Sequence, residues 1–235
     1  MGGVFLRRPF RSRAEVINDI SQDVTTLFRV LQRHYVPLMD MLRWQITSRS
    51  EFERLLAAVP ATLTDLERAA RFLYLQRTAF GGKVSGRHFG VAPGHGGRFD
   101  VTKLGSILED VHARFAGVVI ERLPWPEFLA RYDRPETLFY LDPPYWGSEG
   151  DYGPGVFATG DFEKMAGLLA GLKGHFLLSL NDHPEVRHLF RSFQIEAVST
   201  PYTLSAGAPR VAAEVLISNP IKAPSKTGLR RAKPR

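Results

Sequence analysis

The segment Asp142-Pro143-Pro144-Tyr145 places a carboxylate, two rigid prolines and an aromatic ring directly after the apolar run 138–141. The carboxylate and the Pro143 carbonyl could accept hydrogen bonds from a ring amine whose lone pair is delocalised, and so favour a tetrahedral, more nucleophilic nitrogen. The fixed φ of Pro143 limits the conformations open to the loop. Tyr145 could stack on the same planar ring. The segment therefore predicts chemistry on a weakly nucleophilic amine.

The same four residues also fit a plain turn, with Asp142 as a cap and Tyr145 as packing, and the motif alone does not separate the two interpretations. Position favours chemistry, because open α/β sheets bind ligands at the carboxyl ends of their strands. The alternation of apolar and polar segments predicts βαβαββ and a mainly parallel sheet in this half of the chain. The predicted strands are 138–141, 176–180, 195–198 and 213–217, and the predicted helices are 162–172 and 184–193.

The first half of the chain predicts one short strand followed by helices. Residues 14–19 form an apolar run that ends in Asp19, and one helical face follows it at three- and four-residue spacing. Thr64 and Glu67 fit a capping box at the start of another helix. A further helix over 104–115 and a strand at 118–120 complete this half. The apolar face comprises Val24, Leu27, Phe28, Leu31, Tyr35, Leu38, Met39 and Leu42.

Residues 81–98 contain seven glycines among basic side chains, a composition that predicts a flexible loop with no packed core. Such a loop can follow phosphates and let a side chain enter a groove. Arg77, Lys83 and Arg87 are therefore candidates for contact with a polyanion, and a solvated loop with scattered charge is the alternative. His88 and His95, with no acids nearby, make a poor metal site, so we expect no metal.

Composition narrows the class of protein. A chain of 235 residues with 44% hydrophobic residues can bury one core with an insertion. It has no cysteine, so thiolate chemistry and cysteine-based metal sites are excluded. The net charge of +7 and the pI near 9.9 favour a polyanionic partner. Without a membrane-length apolar run or a secretory signal, we expect a soluble, cytoplasmic protein, and a monomer.

These motifs together resemble the Dam-type DNA adenine methyltransferases, in which a D-P-P-Y motif lies downstream of the target-recognition region. The resemblance extends over nearly the whole chain. It departs at Gln76 and Gly81, where the family often has Asn. The matching segments are 2–6 (glycine-rich cofactor motif), 16–19 (acidic motif), 72–82 (start of the DNA-contacting region), 142–145, and 178–182 with 214–219 (later strands).

The resemblance implies an α/β fold, namely a Rossmann-like S-adenosylmethionine-dependent methyltransferase sheet with a mainly helical inserted target-recognition subdomain. The catalytic domain would comprise 1–35 and 117–220, the inserted recognition region 36–116, and a basic tail 221–235. The implied reaction transfers a methyl group from S-adenosylmethionine to the 6-amino group of adenine in double-stranded DNA. A restriction–modification or phage setting is a further expectation.

The catalytic roles that the resemblance implies fall on three residues. Asp142 and Pro143 would hold the target amine, and Tyr145 would stack on the flipped adenine. Asn181 could support this loop, but it also fits an ordinary turn and helix cap, so it is not counted as catalytic. Transfer to RNA or to a protein glutamine is an alternative, because related proline-pair motifs also grip planar amines and amides.

The cofactor would contact Gly2, Gly3, Asp19 and Asp142. Asp19 would hydrogen-bond the ribose, as an acidic group after the second strand does in nucleotide folds, and its alternative is a helix N-cap. Asp142 would lie near the methionine end. Arg77, Lys83 and Arg87 would contact DNA, mostly at phosphates.

The N-terminus departs from the family, whose members begin with a further segment that supplies a first strand and several cofactor contacts. This chain begins at Met1, inside the glycine loop. Either the true start lies upstream or the gene is truncated. We favour an upstream start, because every later motif is intact. A catalytically inert DNA-binding remnant is the alternative function.

Overall fold

The computed structural model describes residues 2–82, 86–90, 97–153, 155–202 and 210–219. Contacts divide the chain into two units, Met1–Leu129 and Ala130–Arg235. The domain boundaries inferred above follow the family resemblance and stay a prediction. Within the described ranges, no helix is both long and apolar enough to cross a bilayer.

Unit 1 is mainly helical and contains one short parallel pair of strands, β1 (Val16–Asn18) and β2 (Val119–Glu121). Ile17 lies opposite Ile120 in this pair. The predicted strands at both positions are thus confirmed. The helices are α1 (Gly3–Arg7), α2 (Gln22–Arg33), α3 (Tyr35–Arg43), α4 (Arg49–Ala57), α5 (Asp65–Thr78), α6 (Val101–Phe115) and α7 (Trp125–Tyr132), and α7 contains the boundary between the units.

The apolar face that follows β1 forms the centre of unit 1, but it lies on two helices rather than one. Helix α2 ends at Arg33, and α3 begins at Tyr35 after the non-helical residue His34. Pro37 explains the break, because its ring would clash with the carbonyl four residues earlier in a continuous helix. The prediction of one helix was wrong. The burial was right: Val24, Leu27, Phe28, Leu31, Leu38 and Leu42 are all buried.

The described part of the glycine-rich loop folds back onto the end of α5. The Gly90 amide donates to the Thr78 carbonyl at 2.8 Å, and the Phe80 amide donates to the His88 carbonyl at 2.8 Å. A Cβ on Gly90 would lie 3.1 Å from the Phe80 backbone, so this close approach requires glycine. Phe89 packs against Phe52 of the core at 5.5 Å between ring centroids. The prediction that this loop packs no core was therefore wrong for residue 89.

Unit 2 contains the predicted βαβαββ order, and its four-stranded sheet runs β3-β4-β6-β5. Strands β3 and β4 are parallel, whereas β4/β6 and β5/β6 are antiparallel. Strands β3, β4 and β5 therefore run in the same direction, as the expectation of a mainly parallel sheet requires, and β6 is the strand that departs from it. Only seven residues join β5 to β6, too few for the crossover that a parallel neighbour needs, so the chain reverses. The elements are β3 (Leu138–Leu141), α8 (Thr159–Ala170), β4 (His175–Asn181), α9 (Pro184–Leu189), β5 (Gln194–Tyr202) and β6 (Arg210–Ser218).

The two faces of this sheet differ in polarity. One face carries the fully buried side chains of the unit's core, and Phe176 meets Phe193 edge to face at 5.2 Å. Alternation along β4 directs Ser179 and Asn181 to the other face. The register places Asn181 opposite Glu214 of β6 on that polar face. The buried residues of unit 2 are Phe139, Phe157, Phe162, Met165, Leu169, Phe176, Leu178, Leu180, Val186, Phe190, Val215 and Ile217.

We predict that Thr64→Ala lowers the free energy of unfolding by about 1 kcal/mol, the usual effect of losing an N-cap side chain. The Thr64 hydroxyl accepts from the Glu67 amide while the Glu67 carboxylate accepts from the Thr64 amide, as the sequence predicts for a capping box. Urea denaturation measures the change. Thr64→Ser keeps the hydroxyl and serves as the control. Equal losses in both variants would contradict a role for the cap.

Candidate active site

Asp142 follows directly after β3, at the carboxyl end of the strand. The residue keeps part of its surface exposed although its carboxyl is partly desolvated, and the carboxyl accepts no hydrogen bond from any other described residue. Pro143 and Pro144 next to it are half-buried and lack N–H groups. The strand end therefore presents a carboxylate whose acceptor capacity is not used by the fold.

The chain turns sharply after the proline pair. The Ser148 amide donates to the Tyr145 carbonyl at 2.8 Å, which closes a four-residue turn. Gly147, at the third position of the turn, has a φ of +84°, the conformation that a type II turn demands of that residue and that glycine adopts without strain. The turn fixes the direction in which the Tyr145 side chain leaves the backbone.

Asn181 holds this turn from the neighbouring strand. Its side-chain oxygen accepts from the Trp146 amide at 2.8 Å, and its side-chain nitrogen donates to the Trp146 carbonyl at 3.2 Å. One amide thus satisfies both backbone groups of a loop residue. Of the two interpretations that the sequence left open for Asn181, loop support is the one that the structure shows.

Packing fixes the turn from a second side. The Trp146 indole lies 5.1 Å from the Phe162 ring of α8 and stacks on His183 at 5.6 Å between ring centroids. Phe157 meets Phe162 edge to face at 4.9 Å. These aromatic contacts bury apolar area next to the turn and anchor it to α8 and to the start of α9.

The Tyr145 hydroxyl donates a hydrogen bond of 2.7 Å to Oε1 of Glu214 on β6. The donor and acceptor lie 69 residues apart in sequence, so only the sheet brings them together. The acceptor is a carboxylate, and hydrogen bonds to charged acceptors are shorter and stronger than neutral ones. The aromatic ring of the loop is therefore tied to the central part of the sheet.

Partial burial at the end of β3 raises the pKa values of Asp142 and Tyr140. Desolvation raises the pKa of Asp142, and the negative charge of Glu214 raises it further. Desolvation also raises the pKa of Tyr140, which lies two residues before Asp142 and hydrogen-bonds Ser179. Asp142, Tyr140 and Glu214 lie on the same part of the sheet. Ionising a carboxyl group there costs free energy, because the charged form is poorly solvated.

Asp19 occupies the equivalent position in unit 1, directly after β1. Its Oδ1 accepts from the Ser21 amide at 2.8 Å, and Ser21 is the residue that caps α2. The helix-cap interpretation of Asp19 therefore belongs to Ser21 instead. Among the described residues nothing hydrogen-bonds Oδ2 of Asp19. Desolvation raises its pKa, while the bond from Ser21 opposes that rise.

Gly2 and Gly3 begin the same unit. Gly2 has a φ of +60°, and a Cβ there would lie 3.4 Å from Ile17 of β1 and 3.7 Å from Phe28. The left-handed backbone favours glycine, whereas both distances are ordinary van der Waals contacts. A Cβ on Gly3 would meet nothing within 4 Å, so open space lies beside it.

The basic candidates for DNA contact lie at the C-terminal end of α5. Arg77 is exposed in the last turn of the helix. Arg87 instead lies over the Phe72 ring at 5.5 Å, and its Nη2 donates to the Gln76 side chain at 3.4 Å. Desolvation and nearby Arg71 lower the pKa of Arg87. Lys83 lies outside the described residues.

The predicted residues thus fall into two groups. Asp142, Pro143 and Tyr145 share one loop of unit 2, whereas Gly2, Gly3, Asp19, Arg77 and Arg87 belong to unit 1. In the part of the chain that the structure describes, no group of three or more His, Cys, Asp or Glu side chains could hold a metal ion.

Glu214 was not predicted to have a functional role, although it lies in a segment that resembles the family. The signal was available, because an acidic residue within an otherwise apolar strand is rare unless it has a partner. What the sequence could not show is that the partner is Tyr145.

The comparison with protein families identifies the chain. Residues 1–204 match the D12 class N6 adenine-specific DNA methyltransferases. The match covers most of the 235 residues and includes both strand ends described above. The chain belongs to this family.

This methyltransferase therefore acts on the N6 amine of adenine in DNA, as the D-P-P-Y motif predicted. A search of curated proteins gives no match. The family match adds no support for the alternative of an inert remnant.

We predict that Asp142→Asn raises the melting temperature at pH 7.5. Since folding raises the pKa of this carboxyl, ionising it costs stability: the cost is absent below the usual aspartate pKa and complete above the raised one. Asparagine removes the charge, so the advantage of the variant should shrink as the pH falls through the raised pKa.

Calorimetric scans from pH 4.5 to 7.5 test this sign. Asp110→Asn, at an exposed position on α6, is the control and should leave the melting temperature nearly unchanged. A lower melting temperature for Asp142→Asn at pH 7.5 would show that the carboxylate stabilises the fold instead.

Proposed function

We propose that the loop after β3 holds the adenine amine and that S-adenosylmethionine is the methyl donor. The observation that carries this proposal is the Asp142 carboxyl, which the surrounding loop contacts hold at the strand end and which accepts no hydrogen bond from other described residues. A group with spare acceptor capacity and a raised pKa, placed beside an aromatic ring, is a common arrangement at catalytic sites.

The residues of the loop have separate tasks. Asp142 accepts from one N–H of the adenine amine and the Pro143 carbonyl accepts from the other, which favours a localised lone pair on nitrogen. Tyr145 stacks on the base once it leaves the duplex. No covalent enzyme intermediate is required, which agrees with a chain that lacks cysteine. When bound, S-adenosylmethionine supplies an electrophilic methyl group.

The residues of unit 1 fit the cofactor chemically. Asp19 has one carboxylate oxygen engaged by Ser21 and the other directed to no described donor, so it could accept from the hydroxyls of a ribose. Gly2 and Gly3 present backbone with no side chain in the way, and the space beside Gly3 is open. We therefore propose Gly2, Gly3 and Asp19 for cofactor binding, and Asp142 keeps its cofactor assignment from the family resemblance alone.

Double-stranded DNA is the substrate that we propose, with Arg77 as a phosphate contact because its side chain is exposed. Arg87 packs on α5, so we propose that it orders the loop as well as contacting DNA. Lys83 keeps its assignment from sequence alone. A Rossmann-like sheet is the finer fold assignment, supported by parallel pairing of β1/β2 and β3/β4. The monomeric state and the cytoplasmic and restriction–modification settings remain predictions.

We predict that Asp142→Ala abolishes incorporation of tritiated methyl groups into DNA, because the amine loses its charged acceptor. Isothermal titration of the same variant with S-adenosylmethionine reports separately on the cofactor. Asp19→Ala should instead weaken that binding by removing a ribose contact. Full methyl transfer by Asp142→Ala would refute the assignment. RNA and protein substrates serve as controls, and neither should be methylated by the native enzyme.

We predict that Arg77→Ala weakens DNA binding by a similar factor for all sequences and lowers the slope of log K against log salt by about 1, as expected for one lost phosphate contact. Fluorescence anisotropy at several salt concentrations measures this slope. Arg29→Ala, which removes an exposed cation of α2 outside the predicted recognition region, is the matched control. An unchanged slope in Arg77→Ala would remove that residue from the interface.

A further inference from the structure

We propose that Glu214 is a positioning residue for methyl transfer, because its carboxylate holds the hydroxyl of Tyr145 and thereby fixes the position of the ring on which the adenine stacks. This inference rests on the proposed role of Tyr145 in base stacking. It concerns a residue of β6 that lies far from the D-P-P-Y segment in sequence.

The contact is well suited to orient a ring. The hydroxyl is the part of the side chain farthest from the backbone, so its hydrogen bond to Glu214 limits movement of the ring with the greatest leverage. The bond measures 2.7 Å and ends on a carboxylate oxygen. A carboxylate acceptor strengthens it relative to a neutral one.

Glu214 is itself held firmly by its place in the sheet. It lies in the interior of β6, with Asn181 of β4 opposite on one side and Val198 of β5 opposite on the other. Side chains on a strand with two paired neighbours are positioned more precisely than side chains on loops. The Tyr145 hydroxyl is therefore hydrogen-bonded to a rigid part of the fold.

Two strands thus hold the same turn at adjacent points. Asn181 fixes the Trp146 backbone, and Glu214 fixes the side chain of the preceding residue. Because Asn181 and Glu214 are register partners, the distance between the two points of attachment is set by one rung of the β4/β6 ladder. Backbone and ring are held by different residues, so each can be tested alone.

A purely structural role fits Glu214 less well. The charge of Glu214 raises the pKa of Asp142 and so disfavours its ionised form. A glutamine at this position could accept the same hydrogen bond without raising that pKa. The half-buried carboxylate accepts a stronger hydrogen bond from the Tyr145 hydroxyl than a neutral amide would. The stronger acceptor is thus retained next to the group whose orientation matters for the substrate.

The experiment is a double-mutant cycle with Tyr145→Phe and Glu214→Ala, measured as kcat and KM for methyl transfer to unmethylated DNA. Tyr145→Phe keeps the stacking ring and removes only the hydroxyl. We expect each single variant to lower kcat about tenfold, equivalent to about 1.4 kcal/mol, with KM for S-adenosylmethionine unchanged. The double variant should be no slower than either single variant, because both remove one shared contact.

Glu214→Gln supplies the conservative rescue, since its amide oxygen can still accept from the phenol, and it should retain most of kcat. Glu196→Ala is the matched control: this exposed glutamate of β5 lies opposite Leu216, two residues along β6, and its loss should leave kcat unchanged. Losses that multiply in the double variant, or equal losses in Glu214→Gln and Glu214→Ala, would overturn the proposal.

These variants distinguish a loss of folding from a loss of catalytic positioning. If Glu214→Ala does not fold, Tyr145→Phe and Glu214→Gln still decide, because an unchanged kcat in Tyr145→Phe would by itself refute the positioning role. Failure of the proposed function would show differently, as an absence of any dependence on Asp142. Failure of the present inference alone leaves methyl transfer and its dependence on Asp142 intact.

Discussion

The backbone ladder that joins β4 to β3 on one side and to β6 on the other is the constraint on which the candidate active site depends. It places the end of β3, and with it Asp142, beside the strand that carries Asn181, and it places Asn181 opposite Glu214. A shift of one residue in either register would turn these polar side chains to the opposite face. The buried residues Phe176, Leu178 and Ile217 oppose such a shift, because it would expose them.

This arrangement separates two demands on the loop. The chemistry proposed for Asp142 needs a carboxyl that the fold does not engage, whereas stability favours polar groups that are paired. The structure meets both demands, because Asn181 and Glu214 use their polar groups to bind the loop backbone and Tyr145. Desolvation and the charge of Glu214 raise the pKa of Asp142, because both disfavour the ionised carboxylate.

The end of β1 in unit 1 is arranged in a similar way, with fewer contacts. Asp19 has one oxygen bound by the Ser21 amide, so its orientation is fixed, and its other oxygen accepts from no described residue. Asn18 uses its side-chain amide to hold Leu123, with its oxygen accepting from the Leu123 amide and its nitrogen donating to the carbonyl. Asn181 holds Trp146 in the same way, so an asparagine near a strand end fixes the adjoining loop in both units.

The sequence by itself determined the family, the D-P-P-Y loop, the capping box at Thr64 and most element positions, because each depends on residues close together in the chain. Tertiary structure decided what depends on distant partners. Pro37 was visible, yet the break before it was missed because an amphipathic face can continue across two helices. The antiparallel pairing of β6 and the bond between Tyr145 and Glu214, which lie 69 residues apart, arise only when β6 is brought into register between β4 and β5, and no local pattern encodes that register.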